Sequence, residues 1–327
     1  MYSGFITNYI CTAKCRHCMY CSTPKVKDEY KYIDSESANK ICKMLSDYGI
    51  RSMHIGGGEP FMNFNALCNL LAAFKKHRIS VDYIETNAYW CSENNQVDVI
   101  EKLRILHKYD VDTVMVSVDP FHIEYVPLYK PLLLVKLLRS EGFGYFIWQQ
   151  QFLNMLSSLD NKKRYSREEL EQIFGKNYIR DAVRSYGMGI NGRALSIAHE
   201  IYPKKRVQEI LSSTPCTDML TAQHFHIDLY GNFIPSGCPG ISVELKDYIN
   251  DNITEEKYPV VSRMRKNGIK SLYQYAVDNG FEASPNGYIS KCDLCCHIRT
   301  YLSDAKPSYD IAPNCYYDAV KNESIYL

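Results

Sequence analysis

Short apolar runs alternate with longer amphipathic stretches through the first half of the chain. Phe5 to Ile10 is an apolar run that empties into a cysteine-bearing loop. Asp34-Ser-Glu-Ser then offers helix-capping side chains, and Ile41, Met44 and Leu45 follow at helical spacing before Gly49. Ser52-Met-His-Ile55 predicts a short strand that runs into Gly56-Gly-Gly-Glu-Pro60. Leu67, Leu70, Leu71 and Phe74 line one side of the next helix, and Val81 to Thr86 predicts a third strand. Val97, Ile100, Leu103 and Leu106 mark a helix over 94–109, and Thr113 to Val118 a buried strand ending at Asp119-Pro120. A helix over 126–141 precedes a fifth strand, Gly144 to Trp148.

Strands alternating with helices at this rhythm predict parallel βα units with right-handed crossovers. Polar loops then gather at the carboxyl ends of the strands, where barrels of this type build their active sites. The cysteine loop, Gly56 to Glu59, Glu85 to Asn87 and Ser117 to Asp119 all fall at such ends. Ordinary turns and helix caps account for one or two of these segments, not for all four.

The first loop reads Cys11-Thr-Ala-Lys-Cys15-Arg-His-Cys18. Closely spaced thiolates select zinc or iron–sulfur clusters. Three thiolates on a [4Fe–4S] cube leave one iron open for chemistry; Cys21, a further x2 away, would instead allow a closed zinc or ferredoxin-type site. Composition narrows the setting. A net charge of +1, from 38 basic and 37 acidic residues, has no block suited to nucleic acid or a membrane surface. The longest apolar run, Pro131 to Leu138, is broken by Lys136 and too short to span a bilayer. With no export signal, 13 cysteines point to metal or redox chemistry in a reducing cytoplasm rather than to disulfides.

C-x3-C-x2-C after the first strand and GGGEP after the second together resemble the radical S-adenosylmethionine (SAM) superfamily. The resemblance implies a partial (β/α)6 TIM-like barrel over 1–201, an α/β fold, with Cys11, Cys15 and Cys18 holding a [4Fe–4S] cluster whose open iron chelates SAM. It sets His17 near the adenine and Gly57, Gly58 and Glu59 at the methionine amino group. Glu85, Asn87, Ser117 and Asp119 fall where the family contacts the methionyl and ribose parts. Backbone unobstructed by side chains fits close approach of a ligand at the glycines, so a branched residue at Gly58 is expected to fill ligand space while sparing iron. Glu59 would set negative charge beside the sulfonium. Gly187-Met-Gly-Ile-Asn-Gly-Arg-Ala194 is similar to the Gly-Arg-Ala end of the last barrel strand, which puts Arg193 in the cofactor site; the plain alternative is a glycine turn.

The pattern changes after Tyr202. Cys216 and Cys238 flank a hairpin, His226 to Ile234, with Tyr-Gly-Asn at its turn, and Cys292-Asp-Leu-Cys295-Cys296 follows. The tail, 202–327, resembles the Twitch form of the SPASM auxiliary domain, a small cysteine-rich unit with one extra [4Fe–4S] cluster. That implies Cys216, Cys238, Cys292 and Cys295 as ligands, with Cys296 and Cys315 as alternatives and structural zinc as the rival metal. Cys42, Cys68 and Cys91 stand isolated and read as small buried residues.

The reading is a radical SAM oxidoreductase of oxidative-maturase type. It would abstract hydrogen from a peptide, protein or small-molecule substrate and draw electrons from an external donor such as flavodoxin or ferredoxin. Only ten residues precede Cys11, which leaves no leader-recognition domain there and weakens the peptide case. The alternatives are a glycyl-radical-enzyme activase and a non-catalytic iron–sulfur electron-transfer protein, and the latter has no use for GGGEP.

Overall fold

Apolar spacing becomes strands and helices much as the pattern predicts. The computed structural model describes residues 2–24, 32–187, 189–213, 216, 219, 224–235, 237–323 and 325–326. The chain divides into a sheet unit, Ser3–Cys15 with Ser22–Gly187, and a cysteine-rich unit, Met1–Tyr2 with Arg16–Cys21 and Met188–Leu327.

In the sheet unit, five parallel strands lie in the order β5-β4-β3-β2-β1: β1 (Tyr2–Ile6), β2 (Ser52–Gly56), β3 (Ser80–Thr86), β4 (Thr113–Ser117) and β5 (Gly144–Trp148). Helices α1 (Ser35–Asp47), α2 (Phe64–Lys76), α3 (Gln96–Lys108) and α4 (Tyr129–Ser140) make the crossovers that parallel pairing requires. The Asp34 carboxylate accepts from the Ser37 backbone N–H at 2.9 Å and starts α1. Ala38, Ile41, Cys42 and Leu45 are then buried on one stripe. Further along the unit come α5 (Gln150–Leu156), α6 (Arg167–Phe174), which Ser166 caps, and α7 (Tyr178–Tyr186).

Period two sorts the strand residues. Phe5, Met53, Ile55, Ile84, Val114 and Val116 are all buried, and Phe5 meets Phe74 of α2 edge-on at 5.8 Å. Each such side chain contributes roughly 1.5–3 kcal/mol on burial. Alternation puts His54, Gly56, Tyr83, Glu85, Ser117, Phe146 and Trp148 on the other face. There Phe146 and Trp148 stay 37% and 44% exposed, so this face is not packed as a second core layer.

In the cysteine-rich unit, α8 (Ala194–Ile201) and α9 (Val207–Leu211) lead to an antiparallel hairpin of β6 (His224–Asp228) and β7 (Asn232–Pro235), extended by β8 (Val243–Glu244). The Asp228 carboxylate fixes the turn by accepting from the backbone N–H groups of Tyr230 and Asn232, both at 3.0 Å. Helices α10 (Leu245–Ile249), α11 (Pro259–Asp278), α12 (Lys291–Ala305) and α13 (Asn314–Asn322) complete the unit. Its core includes Leu272, Leu294, Ile298, Leu302, Tyr316 and Tyr317. No helix among the described residues is long and apolar enough to cross a membrane.

Two sequence expectations need correction. The first strand stops at Ile6 rather than Ile10, because the backbone turns there to meet the GGGEP segment. Residues 187–194 form no sixth strand among the described positions; Gly187 ends α7 at φ 64° and Gly192 turns the chain at φ 56°, both incompatible with an extended run.

Candidate metal centres

The GGGEP segment is stitched to the backbone just before Cys11. Gly58 N–H donates to the Asn8 carbonyl at 2.7 Å, and Glu59 N–H to the Ile10 carbonyl at 2.9 Å. A Cβ on Gly58 would lie 1.9 Å from the Ile10 oxygen, and one on Gly57 2.8 Å from the Asn8 oxygen. These glycines therefore let two loops of the protein touch. A side chain at Gly58 strikes the cysteine loop before any ligand, so the expectation that such a variant spares iron is replaced by loss of the loop itself.

Glu59 is 1% exposed and turned inward. Its carboxylate accepts from Thr86 Oγ1 at 2.8 Å, Asn87 N–H at 2.8 Å and Phe61 N–H at 3.2 Å. It thus clamps the end of β3 to the end of β2. Burial pushes its carboxyl up to about 7, against the pull of these donors. Glu85 stands on the open face, its side chain 34% exposed and 3.7 Å from His54 Nε2. Partial loss of water at this position, with the nearby Glu59 charge, holds its carboxyl above the ordinary value. Gly56 makes room for it, since a Cβ there would lie 2.9 Å from Glu85 Oε2.

Cys11 and Cys15 are buried at the head of this loop. The Cys11 sulfur accepts from Ala13 N–H at 3.4 Å and Asn87 Nδ2 at 3.6 Å. Cys15 hydrogen-bonds His122. N–H donors aimed at sulfur suit a thiolate bound to metal. His122 Nδ1 lies 2.6 Å from Asp119 Oδ2, to which Tyr186 also donates at 3.1 Å. Burial works against the imidazolium, but the Asp119 charge and Cys15 outweigh it and hold His122 well above its ordinary value. A small cleft is lined by Asn87, Ser117, Asp119 and His122. His122 was missed in the sequence because a histidine five residues past the end of β4 carries no spacing signal.

Cys18 falls within Arg16–Cys21 of the cysteine-rich unit, as does the half-buried His17. Arg193 braces this stretch. Its backbone N–H donates to the Cys18 carbonyl at 3.2 Å and its guanidinium to the Cys21 carbonyl at 2.9 Å and Glu323 Oε1 at 2.9 Å. Gly192 passes so close to Met19 that a Cβ would sit 2.2 Å from the Met19 oxygen. Burial lifts the Cys21 thiol well above its ordinary value, with the Arg193 charge opposing.

Residues 5–124 match the 4Fe–4S single cluster domain. That 4Fe–4S segment contains Cys11, Cys15, Cys18, the GGGEP run, Asn87 and Asp119, so the motifs that resemble the radical SAM superfamily lie inside the matched stretch. No curated protein matched the chain by sequence. Among solved structures, Streptococcus suis SuiB bound to S-adenosylmethionine is 16% identical at a TM-score of 0.46, with 89% of this chain and 76% of that chain covered. Native anSMEcpe with bound AdoMet is 13% identical at a TM-score of 0.44, covering 99% and 96%. BtrN in complex with AdoMet and 2-DOIA is 13% identical at 0.38, covering 90% and 92%. At these scores the likeness carries no argument about substrate or mechanism.

The second thiol group lies wholly in the cysteine-rich unit. Cys238 hydrogen-bonds Cys216, and that bond, with burial, raises its thiol well above the ordinary value. Cys295 lies close enough to both to feel their charge. Cys292 is one turn earlier on α12, on the same face. Cys296 turns instead toward the Tyr316 hydroxyl at 3.7 Å, and Cys315 is buried beside Asp228. Of the six tail cysteines, three are thus brought together, a fourth is in register with them, and the two alternatives face elsewhere. A groove of about 540 Å³ along Lys257, Arg263, Tyr275 and Tyr309 contains no thiol and belongs to neither group.

Proposed function

We propose that this protein is a radical SAM enzyme: Cys11, Cys15 and Cys18 hold a [4Fe–4S] cluster that cleaves SAM reductively, and the tail holds an auxiliary cluster. The observation that carries the reading is the pair of hydrogen bonds from Gly58 and Glu59 to Asn8 and Ile10, which makes the GGGEP segment and the cysteine loop one structure. A simple electron carrier has no need of that coupling. When bound, the cluster and SAM supply one-electron cleavage of a sulfonium carbon–sulfur bond and a 5′-deoxyadenosyl radical that takes hydrogen from substrate.

The chain's own residues prepare this site. Glu59 clamps the β2 and β3 loops, Asn87 and Ala13 direct N–H groups at Cys11, and His122 does so at Cys15. Ser117, Asn87 and Asp119 offer polar atoms for the methionyl and ribose parts of SAM, with His17 for the adenine. Gly57, Gly58 and Arg193 shape the loops that carry them. Phe146, Trp148 and Tyr83, on the open face beside Glu85, give a partly apolar wall for a peptide, protein or small-molecule substrate. An external donor such as flavodoxin or ferredoxin supplies the electron, in a cytoplasmic setting. In the test, SAM is added to the anaerobically reconstituted, reduced protein. A changed paramagnetic signal is expected, absent in Cys15→Ala, and an unchanged signal in the parent contradicts SAM binding at the cluster.

A further inference from the structure

Arg299 is 1% exposed on α12, among the largest fully buried side chains of the molecule. Its Nη1 donates to the Pro239 carbonyl and to the Tyr317 hydroxyl, both at 2.8 Å, and both partners are neutral. Its Nε is buried with no hydrogen-bond partner among the described residues. Tyr317 spends its own proton on the Gly240 carbonyl, and burial pushes its phenol well above the ordinary value, so it is no anion. The buried carboxylate on the same helix, Asp293, pairs with His199 at 2.8 Å. A guanidinium stays charged in proteins, and a buried charge needs an opposite one.

The candidate anions are thiolates. Cys292, Cys295 and Arg299 recur at helical spacing on one face of α12. Cys295 and Cys238 both lie close enough to Arg299 to feel its charge. Apolar packing elsewhere in the core gives the cation no reason to be there.

We propose that Arg299 is the built-in countercharge of an anionic metal–thiolate centre held by Cys216, Cys238, Cys295 and Cys292, and that it biases this centre toward accepting an electron. The inference rests on the auxiliary-cluster reading above. A cube with four thiolates is anionic before reduction and more so after one electron is added. Net charge and hydrogen bonds to sulfur set such potentials, and a fixed cation favours the reduced form. In an oxidative reaction the electron comes from the substrate radical, which loses it together with a proton to become product.

The test uses the full-length Cys11/Cys15/Cys18→Ala variant, so that any remaining cluster sits in the tail. Redox titration monitored by paramagnetic resonance is run on this background alone and with Arg299→Met or Arg299→Lys. Arg299→Met should cut the reduced-to-oxidised ratio at a fixed solution potential at least tenfold, a shift of about 59 mV to more negative values for a one-electron couple. Arg299→Lys should stay near the background. If Arg299→Met loses its iron, retention in Arg299→Lys with a near-background midpoint supports the countercharge, and loss in both overturns it. An unmoved midpoint in Arg299→Met, with iron intact, overturns the role of Arg299 alone. A background protein with bound zinc and no iron–sulfur absorption overturns the auxiliary cluster and this role with it.

Discussion

Gly58→Ala puts the contact between the two motifs under direct strain. The added Cβ would sit 1.9 Å from the Ile10 carbonyl oxygen and 2.7 Å from Asn8 Oδ1, inside any allowed separation. Backbone cannot swing aside as a flexible side chain would, so the β2 loop must lift from the cysteine loop. That breaks the 2.7 Å bond from Gly58 N–H and the 2.9 Å bond from Glu59 N–H. Each buried bond left unmade costs about 1–3 kcal/mol, so the pair amounts to roughly 3 kcal/mol. For a unit of this size, 1 kcal/mol corresponds to about 2–4 °C, which gives a Tm lower by about 6–12 °C. Circular dichroism melts of the apoprotein, followed by iron analysis after anaerobic reconstitution, measure both consequences. Gly189→Ala is the control, because its Cβ would meet only the Met19 side chain at 3.7 Å. A Gly58→Ala protein with parental Tm and full iron would refute the coupling of the two loops.

Other consequences are as direct. Glu59 has its carboxyl raised from 4.5 to about 7 by burial, so the folded state holds this proton more tightly than the unfolded chain. Its contribution to stability is fully present below about pH 4.5 and lost as pH rises through 7, by at most about 3 kcal/mol; urea titrations between pH 4.5 and 8 should show a shallower decline in Glu59→Gln, and an identical slope would count against it. His122→Leu should keep its iron while the proposed Cys15-ligated cluster shifts to a more negative potential, because a donor to sulfur is gone; an unmoved potential would remove His122 from the cluster's surroundings. On the Cys11/Cys15/Cys18→Ala background, Cys238→Ser should lose tail iron and Cys315→Ser should keep it, since Cys315 is buried beside Asp228 rather than among the other thiols; the reverse pattern by iron analysis would redraw the ligand set.

Much of the sheet unit was readable because its signals are local. The five strands and their crossover helices follow apolar periodicity, and the Asp34 cap follows from a side chain beside its own helix. The sixth strand was misread because Ile190 and its neighbours look extended in sequence, whereas Gly187 and Gly192 take left-handed angles that composition alone does not announce. The motif positions were visible, but what each glycine accommodates was not. Gly57 and Gly58 face Asn8 and Ile10, some fifty positions earlier, and only tertiary contact reveals that. Long-range partners hid His122 and Arg299 in the same way: one needs Cys15, the other Pro239 and Tyr317, before it means anything. Three of the four tail cysteines that the resemblance implies as ligands are brought together because the hairpin returns Cys216 and Cys238 to the start of α12.

The central claim is that the loop joined to Gly56–Glu59 performs SAM chemistry. Its most direct measurement is the yield of 5′-deoxyadenosine and methionine from SAM, by chromatography and mass spectrometry, after anaerobic reconstitution and reduction with dithionite. The account predicts both products in equal amounts from the parent protein and neither from Cys15→Ala. Parent protein that carries a reducible [4Fe–4S] cluster yet forms no 5′-deoxyadenosine, or Cys15→Ala protein that forms it at the parental rate, would contradict the claim.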